Sequence, residues 1–291
     1  MKIKAILDLF YEKMTQITLY QRAANDLMMA EIKELVEHAK FIEKNPQLKD
    51  FDVSMNNMMF HEPTFGKPIF YGHKNSSIDE RIASVYLHKN KQYQWLLAEA
   101  YEEFEDFLEA AYASAGYYDK SFWPPSDYNG TPMDEVLGKD WAWHLNQATT
   151  KKGLPKSIFT TFRQKFTDMS KIEKSNKLNF DLTFAFSLIS HLRHHIVHTA
   201  GKVANKEVFI KKVLDEIGRF NNGKPSAEFL GYIDYFFGSG EHENTINLLE
   251  RRVHRDIPFR IENNPVDMLC RFLLAQAFII AENISVRQEK P

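Results

Sequence analysis

The chain has 291 residues, 44% of them hydrophobic and 13% aromatic, ample material for a buried core in one large domain or two modest ones. A single cysteine, Cys270, excludes intrachain disulfides and points to a reducing compartment. The net charge of -2 gives no sign of nucleic-acid binding for the chain as a whole.

The distribution of charge says more. From Lys151 to Lys212 eleven lysines and two arginines face Asp168, Glu173, Asp181 and Glu207, a local balance of +9 that leaves -11 for the rest. Such an asymmetry fits a basic face meeting an anionic partner, or basic helices pairing with acidic ones inside the fold. The opening MKIKAILDLFYEK breaks its apolar run with Asp8 and makes a poor signal peptide. The most apolar run, Phe272 to Ala281, is too short to cross a bilayer, so the expectation is a cytoplasmic protein without a membrane partner.

In chain order, the first predicted element is a helix from about Lys2 to Lys44, with Leu7, Phe10, Met14 and Ile17, then Met28, Ile32, Leu35 and Ala39, at helical spacing. It reads as one helix or as two broken near Ala23 to Asp26; Asn45 and Pro46 end it. Gln47 to Asn75, with Pro63, Gly66, Pro68 and Gly72, reads as an irregular connection, and His61 and His73 as ordinary loop histidines. Ser77 followed by Glu80 is a capping-box signature for a helix that stripes Tyr93, Leu97, Tyr101, Phe104, Leu108 and Tyr112 on one face and closes at Gly116. Tyr118 to Pro155 breaks the helical pattern; its tryptophans favour packing against the bundle over stacking on an unpaired base.

A basic helix from Lys156 to about Lys174 follows, burying Phe159, Phe162 and Phe166. Next comes Asn179 to Ala200, then short helices at Asn205 to Ile217 and Ser226 to Phe237. Glu241 to Asn264 has room for a small β-hairpin built on Ile246 to Leu249 and Ile257 to Ile261, with Arg251, Arg252, Arg255 and Arg260 as a second basic cluster. Asn264 and Pro265 look like the N-cap and first position of a last helix, reaching about Ile284. No repeat or low-complexity tract interrupts the chain. The expected division is 1–76 as a helical extension with its connection and 77–291 as the main helical domain.

The stretch Leu188 to Val203, LISHLRHHIVHTAGKV, holds one arginine and four of the eleven histidines. Ala185, Ile189, Leu192 and Ile196 repeat on one helix face that should be buried, and Gly201 supplies a stop. Arg193, His194 and His198 stand out. Arginine offers a permanently charged fork for phosphate oxygens, and histidine gives or takes a proton near neutral pH. On a regular helix five positions separate Arg193 from His198 by about 140°, so they converge only if the helix ends between them or a second copy completes the site.

Arginine, a polar neighbour, and histidine after four intervening residues, at the end of an apolar helix, resemble the motif of the HEPN superfamily, helical nucleotide-binding domains of which many are ribonucleases. The resemblance implies a mostly α, HEPN-like helical bundle and a homodimer with two motifs facing each other. It also implies a metal-independent endoribonuclease acting by 2'-hydroxyl attack, in microbial defence or a toxin system with an antitoxin or other regulatory partner. His198 is then the general acid or base, Arg193 stabilises the phosphorane, His194 positions, RNA is the partner, and no cofactor is expected. Glu102 or Glu103 would orient Arg193, although a solvated charged face is the more ordinary role for these acids. In the subgroup paired with nucleotidyltransferase antitoxins a tyrosine often stands two residues after the histidine, where this chain has Ala200, so control through that tyrosine is not implied here.

Three alternatives remain at this level. One is a HEPN-like module that binds RNA or a nucleotide without turnover, or only seals a dimer. The second is a metal site, since His191, His194, His195 and His198 fall at i, i+3, i+4 and i+7, although no HExxH and no carboxylate lies within the run. The third is purely structural histidines capping the helix end.

Overall fold

The computed structural model describes residues 1–51, 53–151, 153–220, 225–252 and 262–288. The chain is mostly helical, as its 3.6-residue apolar periodicity predicts, with ten α-helices and two small antiparallel sheets among the described residues. It forms two compact units, Met1–Leu19 with Tyr93–Pro291, and Tyr20–Gln92. That division cuts across the boundary expected at residue 76, because α1 (Ile3–Lys44) and α2 (Ile78–Tyr118) each contribute to both.

In the larger unit the core is aromatic. Phe104 of α2 is fully buried, with ring centroids of Phe10, Phe107, Phe159 and Phe186 within 5.8–6.3 Å. Gly116 does not close α2, which runs on to Tyr118. Its missing side chain serves packing: a Cβ there would lie 2.4 Å from the Trp123 ring, whose indole stacks on Tyr112 at 5.0 Å and donates to the Tyr112 carbonyl at 2.9 Å. The region after Tyr118, expected to be irregular, contains α3 (Met133–Leu137) and α4 (Trp141–Thr149), the latter capped by the Asp140 carboxylate accepting from the Trp143 amide. Trp123 is buried, and Trp141 and Trp143 are partly buried against the core, so packing accounts for all three.

The expected basic helix is two, α5 (Pro155–Lys165) and α6 (Met169–Lys174), split where Phe166 leaves helical geometry at φ -116°, ψ 87°. Arg163 reaches across the break to form a two-pronged pair with Glu173 at 2.8 and 3.0 Å, and Gln276 donates to the same buried carboxylate at 2.7 Å. α7 (Leu182–Thr199) packs on α6, α8 (Lys206–Glu216) and α10 (Pro265–Gln288); α9 (Ala227–Asp234) lies between α8 and α10 in sequence. Asn205, Ser226 and Asn264 cap their helices as their types predict.

By length and composition α10, at 24 residues, is long and apolar enough to cross a bilayer, contrary to the expectation from its most apolar run. Leu269, Leu273, Ala277, Ile280 and Ile284 are nonetheless buried in the core, a pattern that a soluble core helix also produces. The expected hairpin near the C-terminal third is reduced among the described residues to Arg251–Arg252 (β3) paired with Glu262–Asn263 (β4). Arg255, Arg260 and Ile257 to Ile261 lie outside the described residues. Ile246 is buried and bridges Phe237 instead.

In the smaller unit α1 is continuous through Ala23 to Asp26, where no glycine or proline gives it a reason to break. The presumed irregular connection is a β-hairpin, Ser54–His61 (β1) against Pro68–Ser76 (β2). Its turn is organised by Glu62, which accepts from the amides of Thr64, Phe65 and Lys67, with Gly66 at φ +68°. Desolvation pushes the Glu62 carboxyl up, but the hydrogen bonds from Thr64, Lys67 and Phe65 together hold it below its ordinary range. The capping box forms as expected, Ser77 Oγ accepting from the Glu80 amide at 3.3 Å and Glu80 accepting from the Ser77 amide at 2.9 Å. Ile32, Leu35, Ile78 and Val85 form its buried core.

Candidate active site on the arginine–histidine helix

α7 begins where the Asp181 carboxylate accepts from the Thr183 and Phe184 amides at 2.9 and 3.1 Å, later than the expected Asn179. Ala185, Ile189, Leu192 and Ile196 are buried, as their spacing requires. The helix ends through Ala200 at φ 54° and Gly201 at φ 79°, two left-handed residues whose amides both donate to the His195 carbonyl. Gly201 also lies where a Cβ would be 2.5 Å from the Gln94 amide group, and Gln94 donates to the Ile246 carbonyl at 2.7 Å. The exit from α7 is thereby clamped against α2.

α7 is unbroken from Arg193 to His198, so the two side chains leave the helix in different directions. Arg193 turns toward α2. Its Nη2 donates to Glu102, its guanidinium lies 5.8 Å from the Tyr101 ring centroid, and its Nε is buried without an acceptor. Glu103, the other candidate, pairs with Lys13 of α1 at 3.2 Å instead. Tyr101 in turn donates to Ser190 Oγ at 3.2 Å and is stacked on Phe186.

Arg193 and His194 line a cleft of about 390 Å³ together with Tyr101, Glu105, Lys156 and Ser190. The chain entering α5, from Gly153 to Ser157, forms its far wall. His198 is exposed and meets His194 at 4.7 Å between ring centroids. The structure therefore joins Arg193 to His194 through the cleft and His194 to His198 through a ring contact. Partial burial lowers the His194 pKa, and the charges of His198, His191, Lys212 and Arg193 lower it further, which favours a neutral imidazole at pH 7.

The other two histidines face elsewhere. His191 Nε2 is 3.1 Å from Glu216, a carboxylate that also takes Lys156 at 2.9 Å. Burial pushes the Glu216 carboxyl up, but hydrogen bonds from His191 and Lys156 and their charges hold it below its ordinary range. Glu216 carries no motif, and only its position one turn past Lys212 on an amphipathic helix hinted at a role. His195 contacts Thr199 and lies 5.6 Å from the Phe209 ring; burial and the neighbouring histidines lower its pKa. Among the described residues no three His, Cys, Asp or Glu side chains are grouped to hold a metal ion, so the stripe of His191, His194, His195 and His198 does not converge as a metal site requires.

No family model, curated protein or solved structure matches the chain.

Proposed function

We propose that this protein is a HEPN-type endoribonuclease that cleaves RNA by attack of the ribose 2'-hydroxyl on the adjacent phosphorus, working as a homodimer in microbial defence or a toxin–antitoxin setting. The observation that carries this reading is the cleft in which the Arg193 guanidinium, the His194 imidazole and Lys156 meet beside the start of α5. A phosphate suits such a place. The entrance to α5 adds the positive end of a helix dipole. The buried Arg193 Nε is a donor without an acceptor, a cost of about 1–3 kcal/mol that the fold bears to hold the guanidinium at the cleft.

Arg193 then stabilises the pentacovalent phosphorane, held in place by Glu102 and by the Tyr101 ring. His198 transfers the proton between the ribose hydroxyl or leaving oxygen and solvent, and His194 positions it by ring contact. Because one continuous helix turns Arg193 and His198 apart, a second copy that brings its own motif to the cleft supplies the missing half of the constellation. Lys156 and Arg193, which line the cleft, belong to the basic segment from Lys151 to Lys212, whose net charge suits a polyanion.

The test is cleavage of a single-stranded RNA in EDTA. Activity that persists on chelation, yields 2',3'-cyclic phosphate ends and falls by about 10²–10⁴ in Arg193→Ala and His198→Ala supports the proposal. Activity lost to EDTA and restored by zinc overturns it in favour of a metal site. RNA binding without turnover reduces it to a binding module.

A further inference from the structure

The hairpin β1–β2 is exposed along nearly its whole length. Of its seventeen strand residues only Ser54 and Ser76 fall outside the exposed class. Eight large apolar side chains in the hairpin and its turn are exposed, among them Met58, Met59, Phe60, Ile69, Phe70 and Tyr71. Alternation along the strands places Met58, Phe60, Ile69 and Tyr71 on one face and Met59 and Phe70 on the other, so both faces are apolar. An isolated two-stranded ribbon is marginal in water, and three or more strands with an apolar face are needed for stability. At roughly 200 Å² per large side chain, the exposed fractions amount to about 900 Å² of apolar surface over the two faces and the turn, of which Met55, Met58, Met59 and Phe60 of β1 supply a little under half.

The two outer edges of the ribbon differ. β2 carries Pro68, which cannot donate a hydrogen bond, and Lys74, both features that discourage strand addition. β1 carries no charged Lys, Arg, Asp or Glu at all. Beyond the bulge at Asn57, whose side chain meets His73 at 2.5 Å, Met58 to His61 pairs regularly with β2 and leaves its other edge open within the sheet. An uncharged edge can lie antiparallel to a copy of itself about a two-fold axis without placing like charges opposite one another.

The geometry points to β1 as a homotypic docking edge, pairing with β1 of a second copy of this chain to build a four-stranded antiparallel sheet. This interface lies outside the arginine–histidine cleft and holds whether or not that cleft cleaves RNA.

Sedimentation of the full chain tests it. The wild type is expected to dimerise at micromolar concentration, Met59→Lys combined with Phe60→Lys to raise the dissociation constant at least about 100-fold, and Leu137→Lys, at an exposed apolar side chain outside both the hairpin and the cleft, to leave it unchanged. Far-UV circular dichroism checks that the double variant is folded. Should it misfold, Met59→Cys decides, because the native Cys270 is buried with its thiol pushed up to about 12, leaving the new thiol as the reactive one. Dimer-linked disulfide formation at Met59→Cys supports the inference. A wild type that is monomeric at tens of micromolar overturns it, as does association that survives the lysine pair, or flotation of monomers with phosphatidylcholine–phosphatidylglycerol vesicles.

Discussion

The two units spend their apolar residues in opposite ways. In the larger unit Phe104 is wholly enclosed by four other phenylalanines, and Tyr93, Tyr112, Phe162 and Phe184 are equally buried. In the smaller unit four aliphatic residues make the core, while Phe65, Phe70 and Leu27 stand more than 70% exposed. Burial of apolar surface is the main favourable term in folding. The larger unit therefore holds most of the buried apolar surface that stabilises the chain and carries the arginine–histidine cleft, whereas the smaller unit leaves large apolar side chains exposed.

The sharpest way to break this contrast is to truncate one phenylalanine in each unit. Phe104→Ala should cost about 3–5 kcal/mol in urea unfolding, the usual range for a large buried side chain. Phe70→Ala should stay within about 0.5 kcal/mol under monomeric conditions. Equal costs would dissolve the distinction.

Gly201→Ala should cost about 1–3 kcal/mol, since it combines a left-handed backbone with a Cβ pressed on the Gln94 amide. A loss below about 0.5 kcal/mol in thermal unfolding would show that α7 is not clamped at its exit. Glu102→Gln should cost less than about 1 kcal/mol, because the pair with Arg193 is partly exposed and screened. If the cleft is catalytic, the same change should lower the turnover of RNA while leaving its binding within a few-fold, because what it loosens is the orientation of the guanidinium.

The smallest effect concerns pH. Burial lowers the pKa of His144, with the ammonium of Lys120 beside it acting the same way; burial likewise lowers His194 and His195. A depressed folded-state pKa means that the unfolded chain binds the proton more readily. The stability from these neutral histidines is present above the ordinary value of 6.5 and declines as pH falls through the lower folded values. The melting temperature should drop between pH 7 and 5, and His144→Gln, which cannot be protonated, should flatten that slope. A flat profile in the wild type would contradict the assignment.

Helix starts were legible at Ser77, Asn205, Ser226 and Asn264, where a polar cap precedes an apolar stripe, but not at Asp140 or Asp181, which cap α4 and α7 in the same way. Stops were less so. Gly116 reads as a terminator by type, but only the fold reveals that Trp123 needs the space. The hairpin was hidden by its prolines and glycines, although two apolar runs flanking Glu62 to Lys67, with a carboxylate placed to collect amides, were a usable signal. At the cleft, Arg193 and His194 came from the motif, but neighbouring glutamates 102 and 103 differ by only one helical step. What separates them is Lys13, ninety residues away in sequence, which claims Glu103. Long-range partners of this kind have no local trace.

The fit of Trp123 over Gly116 also constrains how this chain can change over time. Any methyl added at 116 collides with the indole, while a smaller ring at 123 leaves a void beneath Tyr112. Each substitution alone is harmful, but together they offset one another, so the two positions should drift as a pair, and a lineage that enlarges one must first have shrunk the other.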